Sequence, residues 1–395
     1  VIALTGYIDL DQNATTPVLP EVLAAMLPWL QGHSGNPSSA HPAGEEARDL
    51  VESARGEVAR LVGARAHEIT FTSGGTEATN TAIRAAIATR SSRRAIVTSS
   101  VEHSATLELL AELERVGFRV VRIGVDGEGR LDRAQLFASI DASVALVSIQ
   151  SANNETGAIA DLTGVADACS AVGASFHVDA VQSAGKAPLD LTRLRPDFAS
   201  LSAHKLHGPK GVGALYARAA FEPLLRGGPQ EGRRRAGTEN VPGIAGFGRA
   251  ASLARAALAS GALDRVRALR DDLEARLARE IGAVVFHARG AERLPNTSNV
   301  AFVGLDAEEL LAAFGAAGLC ASAGSACHAA ARKPSHVLEA MGVPEAQLRG
   351  AIRFSLGRTT TVLDVERALE IVAESAAALR ELGPAAGRTV PRGPR

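Results

Sequence analysis

An alternation most constrains what this chain can fold into. Between residues 69 and 218, short apolar runs of buried-strand length take turns with segments of helical period. Ile69–Thr72, Ala95–Ser99, Arg119–Ile123, Val144–Gln150, Ser175–Val178, Asp197–Ser202 and Val212–Tyr216 read as strands. Thr76–Thr89, His103–Val116 and Leu162–Val172 read as helices between them. Such repeats need right-handed crossovers, so the expected fold class is α/β, with a large, mainly parallel sheet covered on both faces. Ligands on these sheets bind beyond the strand ends. After Gly248 the pattern changes. Leu263, Val266, Leu269, Leu273, Leu277 and Ile281 recur at helical spacing, which predicts a long connecting helix. Beyond it, Val284–His287, Ser298–Phe302 and Ile352–Leu356 read as strands, with helices at about 306–317 and 364–382. The expected division is a large domain over 18–258 and a smaller α+β domain from 1–17 with 259–382. The Pro-, Gly- and Arg-rich tail at 383–395 is expected to be disordered.

Composition narrows the function classes. Apolar content of 46% and a formal charge of −1 over 395 residues describe a soluble chain with no basic excess for nucleic acid. No apolar run approaches the roughly 18 residues that span a membrane, and the opening lacks the pattern of a signal peptide. Three cysteines (Cys169, Cys320, Cys327) form no paired framework and have no zinc-ligand spacing. No metal site is expected, and a reducing cytoplasm is the expected location.

Two strand ends concentrate the chemistry. One carries Asp179-Ala180-Val181-Gln182 and the other Ser202-Ala203-His204-Lys205. An acid and a lysine at neighbouring strand ends are what pyridoxal phosphate requires. The lysine holds the cofactor as a Schiff base, and the carboxylate pairs with its pyridinium nitrogen. The chain has only four lysines (Lys186, Lys205, Lys210, Lys333) among 42 basic residues. Where arginine carries most of the positive charge, a retained lysine points to a need for an amine.

Other segments fit the same chemistry. Gly74-Gly75-Thr76 joins a strand to a helix start, where backbone N–H groups and the helix dipole suit a phosphate. Alone, such a turn is an ordinary helix cap; beside Ser202 and His204, which also donate to phosphate, it reads as a cradle. His103 follows a strand and offers a ring to stack on a pyridine face. Asn154, in an Asn- and Gly-rich turn, can bond cofactor or substrate, and Gln182 can reach the cofactor's phenolic oxygen. Arg353 alternates with apolar neighbours on a strand. A buried arginine needs a carboxylate, which an amino-acid substrate supplies through a bidentate fork. Cys327 lies in a run of small residues from Ser322 to Arg332, suited to delivering a thiol over distance, whereas Cys169 and Cys320 read as packed core residues.

Taken in order, the segments resemble the cysteine desulfurases of aminotransferase fold type I, on the branch with a long cysteine-bearing loop. The resemblance covers nearly the whole chain. It runs from Asp11-Gln12-Asn13-Ala14-Thr15-Thr16-Pro17 and Gly35-Asn36-Pro37 through Thr72–Glu77, Val101-Glu102-His103 and Asn153–Gly157. It continues through His177–Gln182, Ser202–Lys205, Arg235-Ala236-Gly237-Thr238, Gly324-Ser325-Ala326-Cys327 and Arg353–Arg358. It implies that Lys205, Cys327 and His103 are catalytic. Gly75, Thr76, Ser202 and His204 would hold the phosphate of pyridoxal phosphate; Asp179, Gln182, Asn154 and His103 would hold its ring. Thr238 would serve the phosphate of a partner subunit, implying a homodimer, and Arg353 with Asn154 would bind L-cysteine. The expected products are L-alanine and a Cys327 persulfide, passed to a sulfur-acceptor protein. Two departures stand out: Pro229 in Gly227-Gly228-Pro229, and His328 after the cysteine. Ala326-Cys327-His328 and Gly237-Thr238-Glu239-Asn240 are similar to selenocysteine lyases, so L-selenocysteine is the alternative substrate. A generic aminotransferase and a non-catalytic scaffold are the remaining alternatives.

Overall fold

The structure, a computed structural model, describes residues 6–323 and 334–382. The chain opens with β1 (Ile8–Asp9), α1 (Pro20–Gln31) and α2 (Pro42–Leu61). Then come β2 (Ile69–Thr72), α3 (Gly75–Thr89), β3 (Ala95–Ser99), α4 (Ser104–Arg115), β4 (Arg119–Ile123) and α5 (Arg133–Ala138). They are followed by β5 (Val144–Gln150), α6 (Val165–Val172), β6 (Ser175–Asp179), α7 (Leu191–Leu194), β7 (Phe198–Ser202) and β8 (Gly213–Ala217). Strands β2 to β8 form one sheet in the order β2-β8-β7-β6-β5-β3-β4. Neighbours pair in parallel except β8, which runs antiparallel to both β7 and β2. The fold class is therefore the α/β arrangement that the alternation predicts. Its central strands are buried along their whole length, as strands covered on both faces must be.

The later part contains α8 (Val241–Ala259), α9 (Ala262–Glu280), β9 (Val284–His287), β10 (Thr297–Phe302), α10 (Ala307–Ala316), β11 (Leu319–Cys320) and β12 (Ser322–Ala323). After it come α11 (His336–Ala340), α12 (Glu345–Leu348), β13 (Ala351–Ser355) and α13 (Val362–Glu381). An antiparallel sheet has the order β12-β13-β10-β9. The predicted connecting helix is α9. A second long helix, α8, precedes it; only Val241, Ile244 and Phe247 on its buried face are large, and the rest of that face is Gly and Ala, so no sustained pattern of large residues marks it. A Cβ on Gly246 would come within 2.7 Å of Met26, and one on Gly248 within 2.6 Å of Ala54. Small residues thus let α8 lie close against α1 and α2.

One apolar core joins the large sheet to α1, α2 and α8 through residues such as Val22, Val58, Phe176 and Phe247. Another joins β1, β10, β13, α9, α10 and α13 through Leu10, Leu273, Phe302, Phe314 and Phe354. The first residues of the chain belong to the second group. β1 pairs in parallel with β11, and Asp11 bridges to Ser355. The chain then crosses to the large sheet, where Thr16 N donates to the carbonyl of His204 at 3.0 Å. Among the described residues, no helix is long and apolar enough to cross a membrane.

Candidate active site

The parallel strands end on one edge, and register aligns their last residues. Gln150 on β5 pairs with Asp179 on β6, and Asp179 with Ser200 on β7. Asp179 is buried, and its Oδ1 accepts from Val181 N at 2.9 Å. Burial pushes its carboxyl pKa up, opposed by that N–H and by the charges of His103 and Lys205. One short helical turn, Ala203–Lys205, follows β7 and brings Lys205 to the same edge. The Lys205 Nζ donates to the carbonyls of Asn13 at 2.7 Å and Ala14 at 2.8 Å.

The flanking strands supply the walls. Beyond β3, His103 caps α4, its Nδ1 accepting from Ala105 N at 3.1 Å. That bond leaves Nε2 to carry the proton of the neutral ring. Burial lowers the His103 pKa, with Asp179 opposing and Lys205 and His336 adding to the effect. Beyond β2, Gly74 leads into α3, and a Cβ on Gly75 would lie 2.7 Å from Val181 Cγ2. Thr76 is exposed on the first turn. Ser202 Oγ is buried with no hydrogen-bond partner among the described residues. An uncompensated buried hydroxyl is costly unless a ligand atom meets it. The His204 Nδ1 lies 3.2 Å from Thr15 Oγ1, and burial with nearby lysines lowers its pKa to about 4.

Beyond β5, Asn153 Oδ1 accepts from the backbone N–H groups of Glu155 and Thr156, which locks the turn holding Asn154. Arg353 reaches this turn from β13. Its Nη1 donates to the Asn154 carbonyl at 3.1 Å and its Nη2 to Asp11 Oδ1 at 2.6 Å, while Nε is buried without a partner among the described residues. Asp11 is a carboxylate partner that the sequence reading, which looked only to substrate, did not name.

Gly75, Thr76, His103, Asn154, Asp179, Gln182, Ser202, His204, Lys205 and Arg353 all line one cavity of about 340 Å³. Thr238 does not line it. Its exposed loop is tied to the outside of the phosphate-type turn through two anchors. Glu231 accepts from Arg55 Nη1 and Nη2 at 2.7 and 2.9 Å and from Phe71 N at 2.7 Å, and Arg235 pairs with Glu77 at 3.0 Å. Cys327 and His328 lie outside the described residues. The described residues on either side abut the site: Ser322 pairs with Arg353, and His336 lines the cavity. Cys169 is buried, with its thiol pKa pushed up to about 12 by burial. Cys320 departs from expectation and is exposed. On a two-residue strand the side chains alternate, so Leu319 faces the core and Cys320 faces out.

Sequence reasoning missed several cavity residues, among them Asn13, Thr79, Glu155 and His336. Asn13 lay within a quoted motif, but no local pattern signals His336. Its Nε2 lies 3.0 Å from the carbonyl of Glu102. The Glu102 carboxyl, fully enclosed behind His103, is raised to about 8 by burial, against hydrogen bonds from Ser99 and Gln150.

The arrangement resembles known proteins in the same terms. The family model for aminotransferase class-V matches residues 8–368. A cysteine desulfurase of Cereibacter sphaeroides is 49% identical over 95% of this chain and 97% of its own length. One from Gluconacetobacter diazotrophicus is 48% identical over 95% of this chain and 94% of its own. Among solved structures, a NifS-like protein superposes with a TM-score of 0.86 at 37% identity, covering 94% of this chain and 99% of that one. A structure described as SspA in complex with cysteine gives 0.78 at 32% identity, covering 89% of this chain and 99% of that one.

Proposed function

The chain belongs to the aminotransferase class-V family, and on that premise we propose that it is a cysteine desulfurase, taking sulfur from L-cysteine onto Cys327 and releasing L-alanine. The observation that carries this reading is the meeting of Asp179 and Lys205, from adjacent strand ends, in a cavity that Arg353 also lines.

The residues present fit pyridoxal phosphate. The unpartnered Ser202 hydroxyl and the bare edge of Gly75, with Thr76 and His204 beside them, suit its phosphate. Asp179 suits its ring nitrogen. When bound, this cofactor supplies an electron sink next to the substrate's Cα. As a carboxylate, Asp179 would pair with the protonated nitrogen, and that positive partner would offset the burial that raises the Asp179 pKa. His103, fixed by its bond to Ala105, presents its ring to the cavity. Lys205 is the covalent anchor and the group that moves a proton at Cα. Asn154 and Gln182 would bond the ring, and Arg353, which lines the cavity, would orient the substrate carboxylate through its guanidinium.

The Cys327 thiolate then attacks the substrate sulfur. A sulfur–sulfur bond forms and the carbon–sulfur bond breaks. The bonding pair stays with the carbon fragment, which takes up a proton and leaves as alanine. The persulfide goes on to an acceptor protein. The protein works as a homodimer in which Thr238 of each subunit serves the phosphate of the other. A reducing cytoplasm suits a thiol that must be regenerated at each turnover.

Mass spectrometry after treatment with L-cysteine tests this reading. One added sulfur atom is expected on the peptide containing Cys327, with alanine formed in step. Cys327→Ala should still bind L-cysteine but form little alanine and no protein-bound sulfur. Sulfur on Cys169 or Cys320, with Cys327→Ala fully active, would overturn the mechanism.

A further inference from the structure

Lys186 takes no part in the chemistry above, yet it is an amine buried directly behind it. It is 9% exposed and does not line the cavity. Its Nζ donates to Gln182 Oε1 at 2.8 Å and to Asn13 Oδ1 at 2.9 Å. Both partners are amide oxygens. A lysine ammonium has no acceptor, so it can face only the oxygen end of an amide. The two ends of a glutamine amide are nearly the same shape, and the bonds around them decide which way they point. With its oxygen held by Lys186, Gln182 must turn Nε2 the other way. There it donates to the Asn13 carbonyl at 3.1 Å, the carbonyl that also accepts from Lys205. The Asn13 amide is fixed in the same manner. Its Oδ1 accepts from Lys186 and from Asn296 at 3.0 Å, and its Nδ2 donates to Thr297 Oγ1 at 2.9 Å.

We propose that Lys186 is a positioning residue that locks the Gln182 amide with its N–H donor toward the cavity, so that the site selects a deprotonated ring oxygen on its cofactor. The inference rests on the reading that the cavity holds pyridoxal phosphate. A donor aimed at that oxygen favours the anion; a flipped amide would offer an acceptor and favour the protonated hydroxyl. The charges facing Lys186 are Lys205 and Arg353 on the cavity side, Arg267, Arg270, Asp271, Glu274, Arg289, Glu292 and Arg293 in the cleft behind, and His207 and Arg358 in a small adjoining pocket. Burial, with Lys205 and Arg353 adding to it, pushes the Lys186 amine pKa well down.

The test is a pH titration of the bound cofactor's absorbance in the wild type, Lys186→Met, Gln182→Ala and the double variant. Lys186→Met should load with cofactor, but its apparent pKa should rise by about one unit, a tenfold change in proton affinity. Lys186→Gln, whose amide stops short of both oxygens, should shift it less and in the same direction, which keeps the test alive if the methionine variant does not fold. Neither change should add to the shift in a Gln182→Ala background. A folded, loaded Lys186 variant that titrates as wild type overturns the inference, as does a shift that persists undiminished without Gln182. Wild-type protein that takes up no cofactor would instead overturn the reading of the cavity on which this rests.

Discussion

Replacing Arg353 with alanine isolates what β13 contributes to substrate binding. Arg353 is 2% exposed, and the change removes the ion pair to Asp11, the bond to the Asn154 carbonyl and the unpartnered Nε. The stability cost should be modest. The Asp11 side chain is 24% exposed, so water can replace its partner, and removing the arginine leaves no fully buried charge without compensation. The cavity wall also lets water fill the space. The substrate carboxylate fares worse, because it loses a charge-assisted fork of about 2–3 kcal/mol. At about 1.36 kcal/mol per factor of ten, kcat/KM for alanine release should fall roughly 30- to 160-fold. Cofactor occupancy, read separately from absorbance, should match the wild type, since Arg353 touches none of the groups proposed to hold the phosphate or the ring nitrogen. Asp11→Asn is the control: Arg353 keeps a neutral acceptor there, and the loss should stay below about tenfold. Wild-type kcat/KM in Arg353→Ala would make the arginine structural, with Asp11 as its whole purpose. Loss of cofactor from that variant would equally refute the assignment.

Lys205→Ala should abolish turnover and the covalent retention of cofactor that borohydride reduction reports, whereas Lys210→Ala should leave both intact; a reduced label on any other lysine sinks the assignment. Glu231→Ala removes a carboxylate that is 2% exposed from an Arg55 that is 8% exposed. Because Arg55 keeps Glu52 and the Ile69 carbonyl, the cost should sit near the low end for a broken buried pair, about 3 kcal/mol. It should appear as a lower urea midpoint at constant slope, and a loss under about 1 kcal/mol would show that the Thr238 loop is not anchored there. Glu102 has its folded pKa raised from 4.5 to about 8, so its folded state holds a proton that the unfolded chain has released. The stability it contributes is complete below pH 4.5 and is lost as pH rises through about 8. Unfolding free energies at pH 5 and pH 9 should therefore fall more steeply for the wild type than for Glu102→Gln, and parallel slopes would rule this out.

The strands of the large sheet are legible because each has a short run of mainly apolar residues and turn signals separate them. Five of their ends carry residues that the cavity gathers, which is why nine candidate residues converge on it, with Arg353 reaching in from β13 as the tenth. What the sequence hides is what depends on distant partners. Beyond Phe247 the α8 helix buries only Gly and Ala, which leave no period of large residues. Asp11 and Asn13 reach the site only because the first strand pairs with β11, a contact that no local pattern encodes. Cys320 reads as packed until its strand shows it on the face opposite the buried Leu319. Lys186 looks like any other lysine, and its importance lies in the two oxygens it meets.

The crossing of the first residues into the site also sets an order of events during folding. Asp11 meets Arg353 across 342 positions, and Asn13 meets Lys205 across 192. At a synthesis rate of about 5–20 residues per second, residue 353 emerges roughly 20 to 70 s after residue 11. In the last part of that interval, once β8 (ending at Ala217) has emerged, the large sheet can be complete while Lys205 and Asp179 already share an edge. The arginine that selects an amino acid is still missing. Chains released early therefore carry the amine and the acid without the means to choose a substrate. Such contacts between distant positions also slow closure of the last part of the fold. Selectivity is the final property the molecule acquires.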